Sequence, residues 1–184
     1  MRQFAVTAAA IALLSGPAAA GDGFWKWAVS LERNKEVKPV ALPRYAEECS
    51  SCHYAYPPGL LPEASWRALL APQALPDHFG ENIEMKEATR IELLDYAARN
   101  AADHSLSKRS RSVVASLGGT PVPPLRITEV PYIRRKHREI PDAQVRGNPR
   151  VKSLALCDAC HTRASAGDLD DEGVVIPGYG RWRW

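Results

Sequence analysis

Cysteine is scarce in this chain, and its placement is more informative than its number. The 184 residues include four cysteines, and all four lie in two short runs, 49–53 and 157–161. A zinc ribbon is disfavoured, because its C-x-x-C pairs are about 15–20 residues apart and these two pairs are much farther apart. Disulfides between neighbouring cysteines would not need a histidine after each pair. The cysteines therefore point to another chemistry.

Long apolar runs are also rare. The one at the start, Phe4–Leu14, follows Arg2 and precedes Ala18–Ala20. A basic start, an apolar stretch too short to span a membrane and a small-residue cleavage site are typical of a secretory signal peptide. We therefore predict a cleaved signal peptide over 1–20 and export to the periplasm. We also expect a soluble mature chain, because no later apolar stretch reaches transmembrane length.

The two cysteine-containing runs are Cys49-Ser50-Ser51-Cys52-His53 and Cys157-Asp158-Ala159-Cys160-His161. C-x-x-C-H is the attachment signature of a c-type haem. Two thiols three residues apart lie on one side of a helical turn, where they can bind the two vinyl groups of one porphyrin. The histidine that follows ligates the iron. We therefore predict two covalently bound haems, with thioethers at Cys49, Cys52, Cys157 and Cys160 and iron ligands at His53 and His161.

The first motif is followed by features of a small helical haem domain. Three prolines and a glycine interrupt the segment Tyr56–Pro62, which excludes a continuous helix there. An amphipathic helix is predicted over 86–101, where Ile91, Leu94, Ala98 and Ala101 recur at helical spacing. A second helix is predicted over 106–117, with Gly118 and Gly119 ending it.

Two residues near the predicted helix at 86–101 are candidates for the second axial ligand of the first haem. His78 lies in a loop before this helix, and Met85, the only methionine outside the predicted signal peptide, lies at its start. Each residue also has an ordinary structural role available, since His78 could pair with Asp77 and Met85 could simply pack. The residues themselves leave the choice between His78 and Met85 open.

Methionine, histidine and lysine are all absent after His161. A second axial ligand for the second haem is therefore expected upstream of its motif. His137 is the nearest candidate and His104 is the other. Proximity favours His137, whereas His104 lies near a helix C-terminus, where a protonated histidine interacts favourably with the helix dipole.

The composition of the chain predicts where it divides. Thr120–Pro124 has the composition of a linker, so we predict haem domains over 21–117 and 118–184. The region 105–152 contains eleven lysines and arginines against three acidic residues. These cations could pair with haem propionates, form a docking face for an acidic redox partner, or be a solvated face. Nucleic acid is a poor candidate partner for an exported haem protein.

Six runs, together with the second motif, resemble the bacterial dihaem cytochrome c family, and they occur in the family's order across most of the chain. They are Glu48-Cys49-Ser50-Ser51-Cys52-His53, Tyr56-Pro57-Pro58-Gly59-Leu60-Leu61-Pro62, Ser65-Trp66, Asp77-His78-Phe79-Gly80-Glu81-Asn82, Arg126-Ile127-Thr128 and His137-Arg138-Glu139-Ile140. The resemblance implies a mainly α-helical electron carrier. Its N-terminal domain would be similar to a class I cytochrome c, and its C-terminal haem domain would be small and rich in loops.

The resemblance also implies ligands and partners. Both haems would have two histidine ligands, His53 with His78 and His161 with His137. The expected electron donor is a b-type membrane cytochrome, and the expected acceptor is an oxygen-binding monohaem cytochrome c. An electron carrier is favoured over an enzyme, because an iron with six ligands has no open site for a substrate. The alternatives are a dihaem peroxidase-like enzyme or a gas-binding haem protein, each of which needs one open iron.

Bis-histidine ligation predicts low reduction potentials, because histidine–methionine ligation raises the potential of a c-type haem. We expect a redox titration of the purified protein to give two couples, both well below those of histidine–methionine cytochromes c. One high-potential couple would instead indicate Met85 as a ligand and overturn the assignment of His78.

Overall fold

The computed structural model describes residues 35–119 and 122–183. The predicted signal peptide over 1–20 lies outside these ranges. Within them, no helix is both long enough and apolar enough to cross a membrane.

The described residues are mainly helical, as predicted. Their six α-helices are α1 (Pro43–Cys49), α2 (Glu63–Leu69), α3 (Glu87–Arg99), α4 (Lys108–Leu117), α5 (Pro131–His137) and α6 (Asp142–Val145). Short 3₁₀ turns lie at Pro58–Leu60, Pro72–Asp77, Ala102–His104, Ile127–Glu129, Cys157–Ala159, Ala164–Ala166 and Asp171–Gly173. One antiparallel hairpin near the end pairs β1 (Val175–Ile176) with β2 (Gly180–Arg181), with Ile176 opposite Gly180.

Local sequence explains where several helices begin and end. Helices α1 and α5 begin with Pro43 and Pro131, whose fixed φ suits the first helical position. Helix α4 is capped by Ser107, whose hydroxyl accepts a hydrogen bond from the Ser110 amide at 3.1 Å. Gly118 follows α4 with a left-handed φ of 56°, which confirms the predicted stop.

Helix α3 confirms the helix that was predicted over 86–101. Its buried face differs in part from the predicted one. Ala98 and Ala101 are buried as expected, whereas Ile91 is 53% exposed and Leu93 is fully buried. The helix is rotated so that Arg90 also faces inward, where its guanidinium donates to the Leu70 carbonyl at 2.8 Å. A hydropathy pattern cannot anticipate a buried arginine that is held by a backbone carbonyl.

The proline-rich segment after the first motif packs inside the protein. Pro57, Pro58 and Gly59 are buried, and the Trp66 indole donates to the Pro58 carbonyl at 2.8 Å. Gly59 permits this close packing, because a Cβ there would lie 2.8 Å from the Ser110 hydroxyl oxygen. The segment that follows the first motif therefore packs against both α2 and α4.

Two apolar cores hold the described residues together. The larger core is formed mostly by α1 to α4 together with the segments that connect them, but it includes Ile127, Val130, Ala164 and Leu169 from beyond the predicted domain boundary. The smaller core contains Val145, Val151, Val174 and Ile176. The larger core thus crosses position 118, and the exact domain limits stay a prediction.

A buried ion pair connects three distant parts of the chain. Arg109 on α4 donates to both carboxylate oxygens of Glu36, at 2.8 and 3.0 Å, and to the Leu169 carbonyl at 3.0 Å. Glu36 also accepts from the Leu169 amide at 3.1 Å. With Arg109 8% exposed and Glu36 5% exposed, these contacts tie the beginning of the described chain and the segment after the second motif to α4.

Packing of α3 predicts a large difference between two substitutions two residues apart. Leu93→Ala should lower the free energy of unfolding by about 2–5 kcal/mol, because it removes methyl groups from a fully buried site. Ile91→Ala is the matched control, and its exposed side chain predicts a change within about 0.5 kcal/mol. Urea unfolding of the two haem-containing variants measures both changes in the free energy of unfolding. Equal losses would contradict the observed rotation of α3.

Candidate haem centres

Both C-x-x-C-H motifs line one continuous cavity of about 370 Å³. The walls near the first motif are apolar and come from α2 and the segments around it. They include Leu60, Leu61, Trp66, Leu69 and Leu75. The walls near the second motif belong to the smaller core and the C-terminal hairpin. They include Ile140, Val145, Val151, Val174, Ile176 and Trp182. The cavity thus offers the apolar surroundings that a porphyrin requires.

The first motif begins at the end of α1, where Cys49 is the last helical residue. Burial, with a smaller contribution from Glu48, raises the pKa of the Cys49 thiol to about 12. A thioether carries no charge, so it suits this desolvated position. None of the four cysteines is paired in a disulfide.

His53 and His78 face one another across the cavity. Their ring centroids are 6.5 Å apart and their planes differ by 20°. Two metal–nitrogen bonds of about 2 Å each, together with the radius of each ring, account for a separation of this size. The two imidazoles are therefore placed at the distance at which one metal ion fits between them.

The loop that carries His78 has a defined backbone. The His78 amide donates to the Glu81 carbonyl at 2.8 Å, and the Glu81 amide donates back to the His78 carbonyl at 3.2 Å. Phe79 adopts a left-handed φ of 59° between them, a conformation that is uncommon for an aromatic residue. This tight turn directs the His78 ring toward His53, so backbone strain is accepted where the ring must be positioned.

His137 and His161 form the second facing pair. His137 is the last residue of α5, and the ring centroids of the two histidines are 6.1 Å apart with planes at 69°. Rotating one imidazole about a common metal–nitrogen axis changes the angle between planes but not the distance. This pair is therefore also spaced for one metal ion.

In each facing pair, one histidine has a ring nitrogen that is held by a backbone carbonyl. His53 Nδ1 lies 2.8 Å from the Tyr54 carbonyl, and His137 Nδ1 lies 2.8 Å from the Ile133 carbonyl. A carbonyl can only accept, so Nδ1 carries the proton in both rings. Nε2 is left available for a metal, which is the arrangement seen for metal-ligating histidines generally.

His161 is largely removed from solvent, and this affects its protonation. Burial, followed by the nearby charges of His137 and Arg109, lowers its pKa to about 4. Its Nδ1 is buried and has no hydrogen-bond partner among the described residues. The ring is therefore neutral at neutral pH, which is the form that binds a metal.

The structure separates the two alternative ligands that the sequence left open. Met85 lines the same cavity and packs partly buried against the larger core. His104 is not among the residues that line it. Its Nε2 lies 2.6 Å from a carboxylate oxygen of Glu63 on the surface. Met85 thus stays available to the first centre, whereas His104 is engaged elsewhere.

Two tyrosines directly after the first motif donate hydrogen bonds to residues that flank the second motif, and sequence reasoning missed these contacts. The Tyr56 ring stacks on His53, with centroids 4.9 Å apart, and its hydroxyl donates to the Ala155 carbonyl. The Tyr54 hydroxyl donates to the Ala164 carbonyl at 2.5 Å. The Tyr-x-Tyr pattern beside a haem motif was the available signal, but nothing in the sequence identified the distant backbone partners.

The C-terminal hairpin packs against the second motif. The Val175 amide donates to the Cys160 carbonyl at 3.0 Å, and the Trp182 amide donates to the Val174 carbonyl at 3.0 Å. Ile176 and Trp182 both line the cavity. The tail therefore forms a wall of the second centre.

A helical chain with two C-x-x-C-H motifs on one apolar cavity defines a c-type cytochrome with two haems. The family model for dihaem cytochrome c matches residues 45–169, and the chain belongs to this family. It accordingly carries two covalently bound haem c groups, and the residues of the cavity fit them.

Solved structures of other family members are similar to this chain. A dihaem cytochrome c from Shewanella baltica OS155 is 37% identical with a TM-score of 0.63; the match covers 77% of this chain and 97% of that one. A dihaem cytochrome c from Rhodobacter sphaeroides is 40% identical with a TM-score of 0.60, covering 71% and 98% respectively. The comparison with curated proteins found no match.

The surface pair of His104 and Glu63 predicts a pH-dependent contribution to stability. Hydrogen bonding to Glu63 raises the pKa of His104, so the contribution is present below the unfolded-state pKa of about 6.5 and is lost as pH rises through the raised value. Urea unfolding of the wild type and His104→Gln should therefore differ at pH 6 and converge at high pH. The haem spectrum of His104→Gln should stay unchanged; a loss of low-spin character would show instead that His104 is an iron ligand.

Proposed function

We propose that this protein is an electron carrier in which each haem iron has two histidine ligands. His53 and His78 would ligate the first iron, and His161 and His137 the second. The observation that carries this proposal is the presence of two facing imidazole pairs, 6.5 and 6.1 Å apart, on one cavity. The thioethers would be formed by Cys49 and Cys52 for the first haem and by Cys157 and Cys160 for the second.

The protein's contribution would be to fill the coordination sites of each iron and to orient the histidine rings that do so. When bound, each haem supplies reversible one-electron chemistry. The carbonyls of Tyr54 and Ile133 hold Nδ1 of His53 and His137, and such a contact increases the basicity of the ligand. With two histidine ligands, each iron would have no coordination site left for a substrate or a gas. This supports an electron carrier over a dihaem peroxidase or a gas-binding protein.

Low reduction potentials for both haems are part of the proposal, because histidine is the second ligand in each pair rather than methionine.

The proposal also keeps the predicted division of the chain into two haem domains, with residues 21–117 holding the first haem and 118–184 the second. The shared larger core supports close contact between these two parts.

The proposal extends to the location and partners of the protein, and it draws on the family and on the surface charge. We propose a periplasmic location, a b-type membrane cytochrome as donor and an oxygen-binding monohaem cytochrome c as acceptor. Of the eleven basic residues between 105 and 152, Arg109 is buried and Lys136 half-buried, and the other nine are exposed. Exposed charge of one sign supports steering toward an acidic partner.

Carbon monoxide tests the ligation directly, because it binds a reduced iron that has an open or weakly held position. The spectrum of the dithionite-reduced wild type should not change on addition of carbon monoxide. His78→Ala and His137→Ala should each shift roughly half of the haem absorbance, since each opens one of two irons.

Met85→Leu is the matched control, because Met85 lines the same cavity and leucine is similar in volume. It should behave as the wild type. If Met85→Leu opened one iron while His78→Ala did not, Met85 would be the ligand of the first haem. A wild-type protein that bound carbon monoxide would favour the enzyme or gas-binding alternative.

A further inference from the structure

The buried Glu36–Arg109 pair has a defined orientation relative to the haem cavity. Arg109 is one of the residues that line the cavity, whereas Glu36 is not. The Glu36 carboxylate accepts hydrogen bonds from Nε and from one terminal nitrogen of the Arg109 guanidinium, at 3.0 and 2.8 Å. The pair is therefore a fixed dipole whose positive end lies on the cavity side.

The positive end lies near the second centre. The other terminal nitrogen of Arg109 is 3.5 Å from the Tyr132 hydroxyl, and Tyr132 belongs to α5, the helix that ends at His137. Arg109 also donates to the Leu169 carbonyl, in the segment that follows His161. The depressed pKa of His161, to which Arg109 contributes after burial and His137, agrees with this placement.

The remaining charges around His161 are paired and more accessible to water. Asp171 is paired with Lys136 at 2.7 Å, with side chains 32% and 38% exposed. Asp168 is paired with Arg163 at 2.7 Å, with side chains 19% and 62% exposed. Solvent screens exposed pairs strongly, whereas the side chains of Arg109 and Glu36 are only 9% and 6% exposed. The Glu36–Arg109 dipole is therefore the least screened charge arrangement near this centre.

We propose that the Glu36–Arg109 pair raises the reduction potential of the haem at the second motif above the value that its two histidines alone would set. Reduction of the iron adds one electron and thus one negative charge to the site. A buried cation on the cavity side stabilises that charge, since the local dielectric constant is low. This inference rests on the proposed function, which places a redox-active haem at each motif.

Two variants that each remove one charge of the pair should shift the potential in opposite directions. Arg109→Gln removes the cation and should lower one midpoint by at least a tenfold change in the redox equilibrium constant, about 59 mV for a one-electron couple. Glu36→Gln leaves the cation without its counter-charge and should raise the same midpoint. Lys108→Gln, an exposed neighbour on α4, is the matched control and should move neither midpoint.

The measurement is a potentiometric titration of each haem-loaded variant with dithionite and mediators, followed optically. The haem that shifts is identified by repeating the titration in the His137→Ala background, which alters the second haem alone. Arg109→Lys keeps the charge and should retain the wild-type midpoint even if it lowers the unfolding temperature. That result separates an electrostatic role from a structural one.

Shifts of the same sign in Arg109→Gln and Glu36→Gln, or equal shifts of both midpoints, would overturn the inference and leave the pair a structural tie. If Arg109→Gln does not retain both haems, the sign of the Glu36→Gln shift decides. Failure of the proposed function is distinguishable, because it appears in the wild type as carbon monoxide binding or as a high-potential couple.

Discussion

The structure is organised around one geometric arrangement, in which each motif histidine faces a second histidine across an apolar cavity. The ring pairs His53–His78 and His161–His137 satisfy it at nearly equal separations, although the chain reaches them differently. The first partner follows its motif on a tight turn, and the second precedes its motif at the end of a helix. The two centres therefore share a distance but not a local structure.

Buried polar contacts keep the two halves in register around that cavity. The tyrosine hydroxyls of Tyr54 and Tyr56 reach carbonyls on either side of the second motif, and Arg109 connects Glu36 with Leu169. Each of these groups is desolvated and would be costly if left unpaired. Their partners lie far away in the chain, so the contacts specify how the halves meet rather than how either half folds locally.

Prediction from the sequence was most successful where the chemistry is local. The two C-x-x-C-H motifs, the stop at Gly118 and the existence of α3 each depend on residues within a few positions of one another. It was less successful for the orientation of α3, where Ile91 is exposed and Leu93 buried. There, the packing of Leu93 and the hydrogen bond from the Arg90 guanidinium to the Leu70 carbonyl set the buried face of the helix. Both depend on distant segments, so the hydropathy pattern of the helix alone did not predict this face.

The sequence by itself determined the number of haem groups and the residues of their attachment motifs, because covalent attachment requires neighbouring residues at one spacing. It also narrowed the second ligands to a few histidines and one methionine. Only the tertiary structure decided which imidazoles face one another, that His104 pairs with Glu63 instead, and that the C-terminal hairpin closes the second centre. These outcomes depend on contacts between distant segments, whose free energy is set by burial and pairing in three dimensions rather than by local pattern.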